Sequence, residues 1–136
     1  MPLDAPEGQP PPVAEIARLH GRVFGATDAE VAAAAEVTLR VLAHPLLSRA
    51  RTASRRGDCR REAPVSMRTD DGVLVEGVID VAFREDGVWT VVDYKTDRDL
   101  AEAGGAIEVY RRQVALYAEM ITRATGEPAR GVLMQV

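Results

Sequence analysis

Two Asp-Gly pairs, Asp71-Gly72 and Asp86-Gly87, constrain this chain more than any other feature of its sequence. Tight hairpin turns need residues at positive φ. Glycine supplies them because it has no Cβ, and aspartate tolerates the left-handed region. Around the two pairs lie runs of strand character, the second and third rich in valine: Arg60–Arg68, Val73–Phe83 and Val88–Lys95. The middle of the chain is therefore predicted to be an antiparallel meander of three strands, the first two joined by Thr69-Asp70-Asp71-Gly72. With 136 residues there is room for one domain of ordinary size, so the meander should be the greater part of a single sheet.

The flanks of the meander read as helical. Residues 1–12 hold five of the eight prolines and little to bury, which predicts a flexible proline-rich linker or tail. Val13, Ile16, Ala17, His20, Val23 and Phe24 recur at helical spacing, a stripe expected to lie on the sheet, and Gly25 ends it. Thr27 and Glu30 form a capping-box sequence that opens a second helix over 28–43, and His44-Pro45 stops it. Residues 46–59 read as a short helix and a loop rich in arginine. After a polar stretch at 96–104, a helix over 106–125 carries Tyr110, Val114, Tyr117, Ile121 and Ala124 on one stripe, with Gly126 and Pro128 ending it. Arg130–Val136 is a last strand, and a strand–helix–strand connection of this length returns parallel. The predicted class is α/β: a mixed four-stranded sheet flanked by helices, in one folded domain over 13–136.

Composition narrows the function. Hydrophobic residues make up 46% and charged residues 28%, a globular balance that excludes a disordered tail, a collagen-like repeat or a coiled-coil rod. No apolar run approaches the ~20 residues of a membrane span, and no signal peptide opens the sequence, so an intracellular protein is expected. A lone cysteine, Cys59, excludes an internal disulfide framework and a cysteine-bound iron–sulfur cluster. The net charge of −4 argues against gripping nucleic acid by bulk positive field, but leaves room for an acidic metal site. Of the 17 basic residues only Lys95 is lysine, a compact point charge where guanidinium serves elsewhere.

Alternation along a strand places Trp89, Val91, Asp93 and Lys95 on one face, Asp93 and Lys95 being roughly 6–7 Å apart. On the neighbouring strand, the same alternation groups Asp80 with Leu74, Glu76, Val78 and Ala82. Two carboxylates and an ammonium among valines are costly unless paired or bound to a cation. Two carboxylates on adjacent strands are a natural oxygen pair for Mg²⁺, and Lys95 could orient a water or stabilise charge on a phosphate. Taken alone, an Asp-x-Lys is more often a salt bridge at a strand end, with Asp80 a solvated residue.

The wider pattern is more specific. Gly77-Val78-Ile79-Asp80 precedes Asp93-Tyr94-Lys95-Thr96-Asp97; a helix carrying Gln113 and Tyr117 as Q-x-x-x-Y follows, and Glu62-Ala63-Pro64 stands upstream as E-x-P. In this order the motifs resemble the PD-(D/E)XK nuclease superfamily. More closely, they resemble the RecB-like nuclease domain of AddA/RecB and related UvrD-like helicases. The resemblance covers about residues 13–136 and implies an αβββαβ restriction-endonuclease-like core. It implies Asp80 and Asp93 as metal-binding carboxylates, Lys95 as the catalytic lysine and His20 as a further metal ligand. For His20 a satisfied core histidine is the competing reading. Glu62 would stand at the site edge, supporting metal or water, or else be a charged strand start. Gln113 and Tyr117 would face the site and DNA, Tyr117 also packing in the core. The implied cofactor is Mg²⁺ or Mn²⁺. The implied activity is phosphodiester hydrolysis on DNA, in bacterial repair or recombination in the cytoplasm, beside a helicase motor.

The sequence lacks a Walker-type Gly-x-x-x-x-Gly-Lys, so unwinding and ATP use would belong to a partner, and it lacks the cysteine cluster of some relatives. Arg49, Arg51, Arg55, Arg56, Arg60 and Arg61 could contact phosphates or form a solvated basic face. Cys59 and Trp89 read as structural. The alternative function is a catalytically silent DNA-binding or docking module. Against it, both aspartates and the lysine are present. A small-molecule hydrolase would need a nucleophile–histidine arrangement that the sequence does not offer.

Overall fold

The computed structural model describes residues 13–102, 104 and 107–136, in two compact units divided between Arg55 and Arg56. The first unit holds α1 (Val13–Phe24), α2 (Asp28–Leu42) and α3 (Pro45–Arg55). The second holds β1 (Cys59–Arg68), β2 (Leu74–Glu85), β3 (Val88–Lys95), α4 (Asp97–Glu102), α5 (Ile107–Thr125) and β4 (Ala129–Gln135). The tail expected over 1–12 lies outside the described residues.

Local chemistry sets the bounds of the first unit. The Thr27 hydroxyl accepts the Glu30 amide at 3.2 Å, while the Glu30 carboxylate accepts the Thr27 amide at 2.7 Å, so the capping box of α2 is complete. His44-Pro45 ends one helix and starts the next. Proline takes the first position of α3, and His44 Nδ1 accepts the Leu46 amide at 3.1 Å. The apolar stripe of α1 turns to α2 rather than being buried, since Ile16 is 36% and Phe24 82% exposed. Together with Val13, Ala17 and His20, these two residues border an apolar cleft of about 410 Å³ whose far wall is Val31, Ala34 and Thr38.

In the second unit the strand order is β1-β2-β3-β4, with β1, β2 and β3 antiparallel and β4 parallel to β3. Asp86 (φ +50°) and Gly87 (φ +77°) both turn left-handed between β2 and β3, the conformation a two-residue hairpin requires. Pro64 is tolerated because β1 is an edge strand. Ile79, Ala82 and Val91 form one core cluster with Val114, Tyr117, Ala118 and Met120 of α5. Val81, Phe83 and Val92 are buried as well, so side chains on both faces of the central strands are out of water.

The polar stretch 96–104 is not all loop. Thr96 caps α4, its hydroxyl accepting the Asp99 amide at 3.1 Å while Asp99 accepts the Thr96 amide at 2.8 Å. The cause is a Thr-x-x-Asp capping box followed by too few apolar residues to show a period.

Candidate active site

Strand pairing lines up three acidic residues across the sheet. Between the pairs Arg61↔Val81 and Ala63↔Ile79, Glu62 stands opposite Asp80. One step beyond Val81↔Val92, Asp80 stands opposite Asp93. Glu62 is exposed and has a left-handed backbone at φ +47°, rare for a residue with a Cβ. Asp80 is missing from both ladders, and Ile79 and Ala82, three residues apart, join the same buried cluster. Strict alternation therefore slips at Asp80. The expected grouping of Asp80 with Leu74, Glu76, Val78 and Ala82 does not hold: Ala82 is in the core, while Leu74 and Val78 are each 54% exposed. Freed from the ladder, the Asp80 carboxylate accepts the Tyr94 amide at 2.8 Å.

Asp93 is 5% exposed, and its Oδ2 lies 2.9 Å from Lys95 Nζ. This buried oxygen has charge compensation from Lys95, and no hydrogen-bond donor meets it among the described residues. Burial pushes the Asp80 carboxyl above its ordinary range; the Tyr94 amide opposes the shift and the negative charge of Asp93 adds to it. Burial disfavours the Lys95 ammonium, but the Asp93 carboxylate outweighs it, and the net shift is upward. Lys95 is therefore a fixed cation at neutral pH. Burial also raises the Tyr94 phenol, with the Asp80 charge contributing, which keeps that hydroxyl protonated.

The α5 side of the site was partly legible. Gln113 Nε2 donates to the Tyr117 hydroxyl at 3.2 Å, the two being one turn apart as the motif requires. Tyr117 is buried, and its ring lies over Gly77 of β2. Sequence reading missed Tyr110, which it counted only as part of an apolar stripe. Its ring centroid is 4.7 Å from Lys95 Nζ, and its hydroxyl donates to the Asp99 carbonyl at 3.1 Å. The signal was present, since Tyr110, Gln113 and Tyr117 fall at i, i+3 and i+7 on one helix face.

His20 lies in the other unit, exposed on α1 at the edge of the apolar cleft, and is not a buried core histidine. In the arginine-rich segment, Arg56 pairs with Asp58 at 3.6 Å and Arg60 donates to the Gly57 and Cys59 carbonyls. Trp89 packs on the core cluster, and its indole donates to Glu127 at 2.9 Å.

Among the described residues, no three His, Cys, Asp or Glu side chains form a ready metal cage. Mg²⁺ does not need one, because it takes one or two carboxylates and completes its shell with waters and substrate phosphates. The donor set fits such an ion: two adjacent carboxylates, one with a raised pKa and one with a buried oxygen lacking a hydrogen bond.

The chain also has relatives among known proteins. A segment of it is 37% identical over 62 residues to an ATP-dependent helicase/nuclease subunit of Clostridioides difficile (strain 630), covering 45% of this chain and 5% of that protein. The same-named subunit of Bacillus pumilus (strain SAFR-032) is 39% identical over 61 residues, covering 39% of this chain and 5% of the relative. That of Desulforamulus reducens is 34% identical over 61 residues, covering 45% and 5%. The matched segment thus spans about 5% of the length of these curated relatives. The sequence profile of one family matches nearly the whole chain, residues 5–136, a range that holds Asp80, Asp93 and Lys95 together with the sheet that gathers them. The chain belongs to the PD-(D/E)XK nuclease superfamily.

Proposed function

We propose that this chain is a divalent-metal-dependent nuclease domain that hydrolyses phosphodiester bonds in DNA. The observation that carries this reading is the buried Asp93 carboxylate beside Asp80, with the chain's one lysine 2.9 Å away, in a member of a nuclease superfamily. Asp80 and Asp93 would hold Mg²⁺ or Mn²⁺. Bound there, such an ion polarises a phosphoryl oxygen and lowers the pKa of a coordinated water. Lys95, 2.9 Å from Asp93, serves as a charge donor to a phosphate oxygen. In the reaction the water oxygen bonds to phosphorus, the phosphorus–oxygen bond to one nucleotide breaks, the attacking water gives up a proton to solvent, and the departing oxygen takes one up from solvent to leave as a hydroxyl.

Glu62, opposite Asp80 on the edge strand, would support water or metal from the rim. Gln113 would meet DNA from α5, with Tyr117 holding that amide in place. His20 would add a ligand to the metal. The working context would be a helicase–nuclease of bacterial DNA repair and recombination, in the cytoplasm, with the motor supplied by a partner or adjoining segment.

The test is cleavage of single-stranded and duplex oligonucleotides with Mg²⁺, Mn²⁺ or chelator. Metal-dependent cleavage that Asp80→Asn and Lys95→Met each lower at least 100-fold is the expected result. Metal binding without cleavage in the unmutated protein would leave a silent DNA-binding or docking module instead. His20→Ala is expected to weaken Mn²⁺ binding while leaving the metal-free melting temperature near wild type, because the side chain is exposed.

A further inference from the structure

We infer that Tyr110 is a positioning residue for Lys95, giving the ammonium a second fixed partner once Asp93 turns to a metal ion. The inference rests on the nuclease reading above. Lys95 Nζ sits between two groups of different kinds: the Asp93 carboxylate at 2.9 Å and the face of the Tyr110 ring at 4.7 Å. A divalent ion on Asp93 would take up the charge that now holds the lysine, and would repel it besides. A lysine stem with four rotatable bonds would then swing away unless something else restrained its head. The Tyr110 ring is neutral, so a metal ion does not compete for it, and a cation over a partly desolvated ring is attracted by the ring quadrupole.

The ring is itself held. Its hydroxyl donates to the Asp99 carbonyl at 3.1 Å, and Asp99 is tied to Thr96, the residue after Lys95, by hydrogen bonds of 2.8 and 3.1 Å. The backbone after Lys95 is fixed too, because the Lys95 carbonyl accepts the Val136 amide at 2.9 Å. Ring and ammonium are thus anchored to the same turn, which lets the ring fix where Nζ lies.

The only lysine in the chain makes the test direct, since protein labelled with ¹³C,¹⁵N-lysine shows one lysine side-chain spin system. Protons stacked over an aromatic face are shifted upfield. The Lys95 ε-methylene signal is expected upfield of free lysine in the wild type, to stay there on saturation with Mg²⁺, to lie between the wild-type and free values in Tyr110→Phe, and to move to the free value in Tyr110→Leu. In cleavage assays Tyr110→Leu should lose about tenfold in kcat with KM for DNA nearly unchanged, and Tyr110→Phe, which keeps the ring but loses its hydroxyl anchor, should fall between Tyr110→Leu and wild type. A wild-type Lys95 signal at the free value in Mg²⁺ overturns the inference without any mutant. So does an unchanged kcat in folded Tyr110→Leu when Lys95→Met is inactive, and in that case the lysine's own role stands. Full cleavage by Lys95→Met is a different failure, removing the role of the lysine and the positioning of it together.

Discussion

A Cβ added at Gly77 would lie 2.6 Å from the Tyr117 ring and hydroxyl, closer than atoms can approach. The glycine of the Gly-Val-Ile-Asp motif is therefore a seat for an aromatic ring from α5. Gly77→Ala is expected to cost about 1–3 kcal/mol by overpacking, measured by urea unfolding. Combined with Tyr117→Leu the cost should fall below the sum of the two single changes, because both act on one contact. At Asp80 the expected sign is opposite. Its carboxyl has a raised pKa in the fold, so the metal-free native state binds a proton more readily than the unfolded chain. That disadvantage is present at neutral pH and fades as pH falls through the raised pKa. Asp80→Asn should therefore raise the metal-free melting temperature at pH 7, the difference from wild type shrinking on acidification. Alternation paired Asp93 with Lys95 correctly from sequence, since β3 is regular there. It misplaced Asp80, because the left-handed turn of the chain at Glu62 and the slip of β2 beside it carry no sequence period.

At the scale of elements, the end of the sheet away from the acids is held by a clasp. Arg84 of β2 donates twice to Glu127, at 2.8 and 2.7 Å, and the Trp89 indole of β3 donates to the same carboxylate at 2.9 Å. Glu127 lies between α5 and β4, so one carboxylate ties the crossover to two strands. Hydrogen bonds from Arg84 hold its carboxyl below the ordinary value of 4.5. A depressed carboxyl contributes stability above the unfolded pKa and loses it as pH falls through the folded one. Glu127→Gln should thus melt lower than wild type at pH 6–8, and the two curves should converge as pH drops below about 4.5. A constant offset down to strongly acid pH would show that the carboxylate charge is not what the clasp uses. Capping boxes were legible at this scale. The box at Thr27 stood out because a long alanine-rich helix follows it, whereas the same grammar at Thr96 was overlooked because α4 has six residues.

For the whole molecule, a metal that binds only the folded chain must raise its stability by mass action. At a free concentration 100 times Kd the gain is about 2.7 kcal/mol. For a chain of this size that is a rise of roughly 10 °C in melting temperature. Mn²⁺ titration followed by thermal unfolding is expected to show it, and the paired change Asp80→Asn with Asp93→Asn to remove it. An equal rise in the double variant would place the ion elsewhere. Sequence alone determined the class of fold, because turn chemistry, caps and periodicity are local: Asp86-Gly87 supplies the two left-handed residues of its hairpin, and Thr27 with Glu30 caps the helix that follows. It also named the acids and the lysine, through the resemblance of the Gly-Val-Ile-Asp and Asp-Tyr-Lys-Thr motifs to those of a nuclease superfamily. What only the tertiary structure decided is how those side chains are used. The pairing of Asp80 with the Tyr94 amide, the seat of Tyr117 on Gly77 and the ring beneath Lys95 join residues 14, 40 and 15 positions apart. Such contacts depend on where two elements cross and how a strand slips, and neither is written in the period of any one segment.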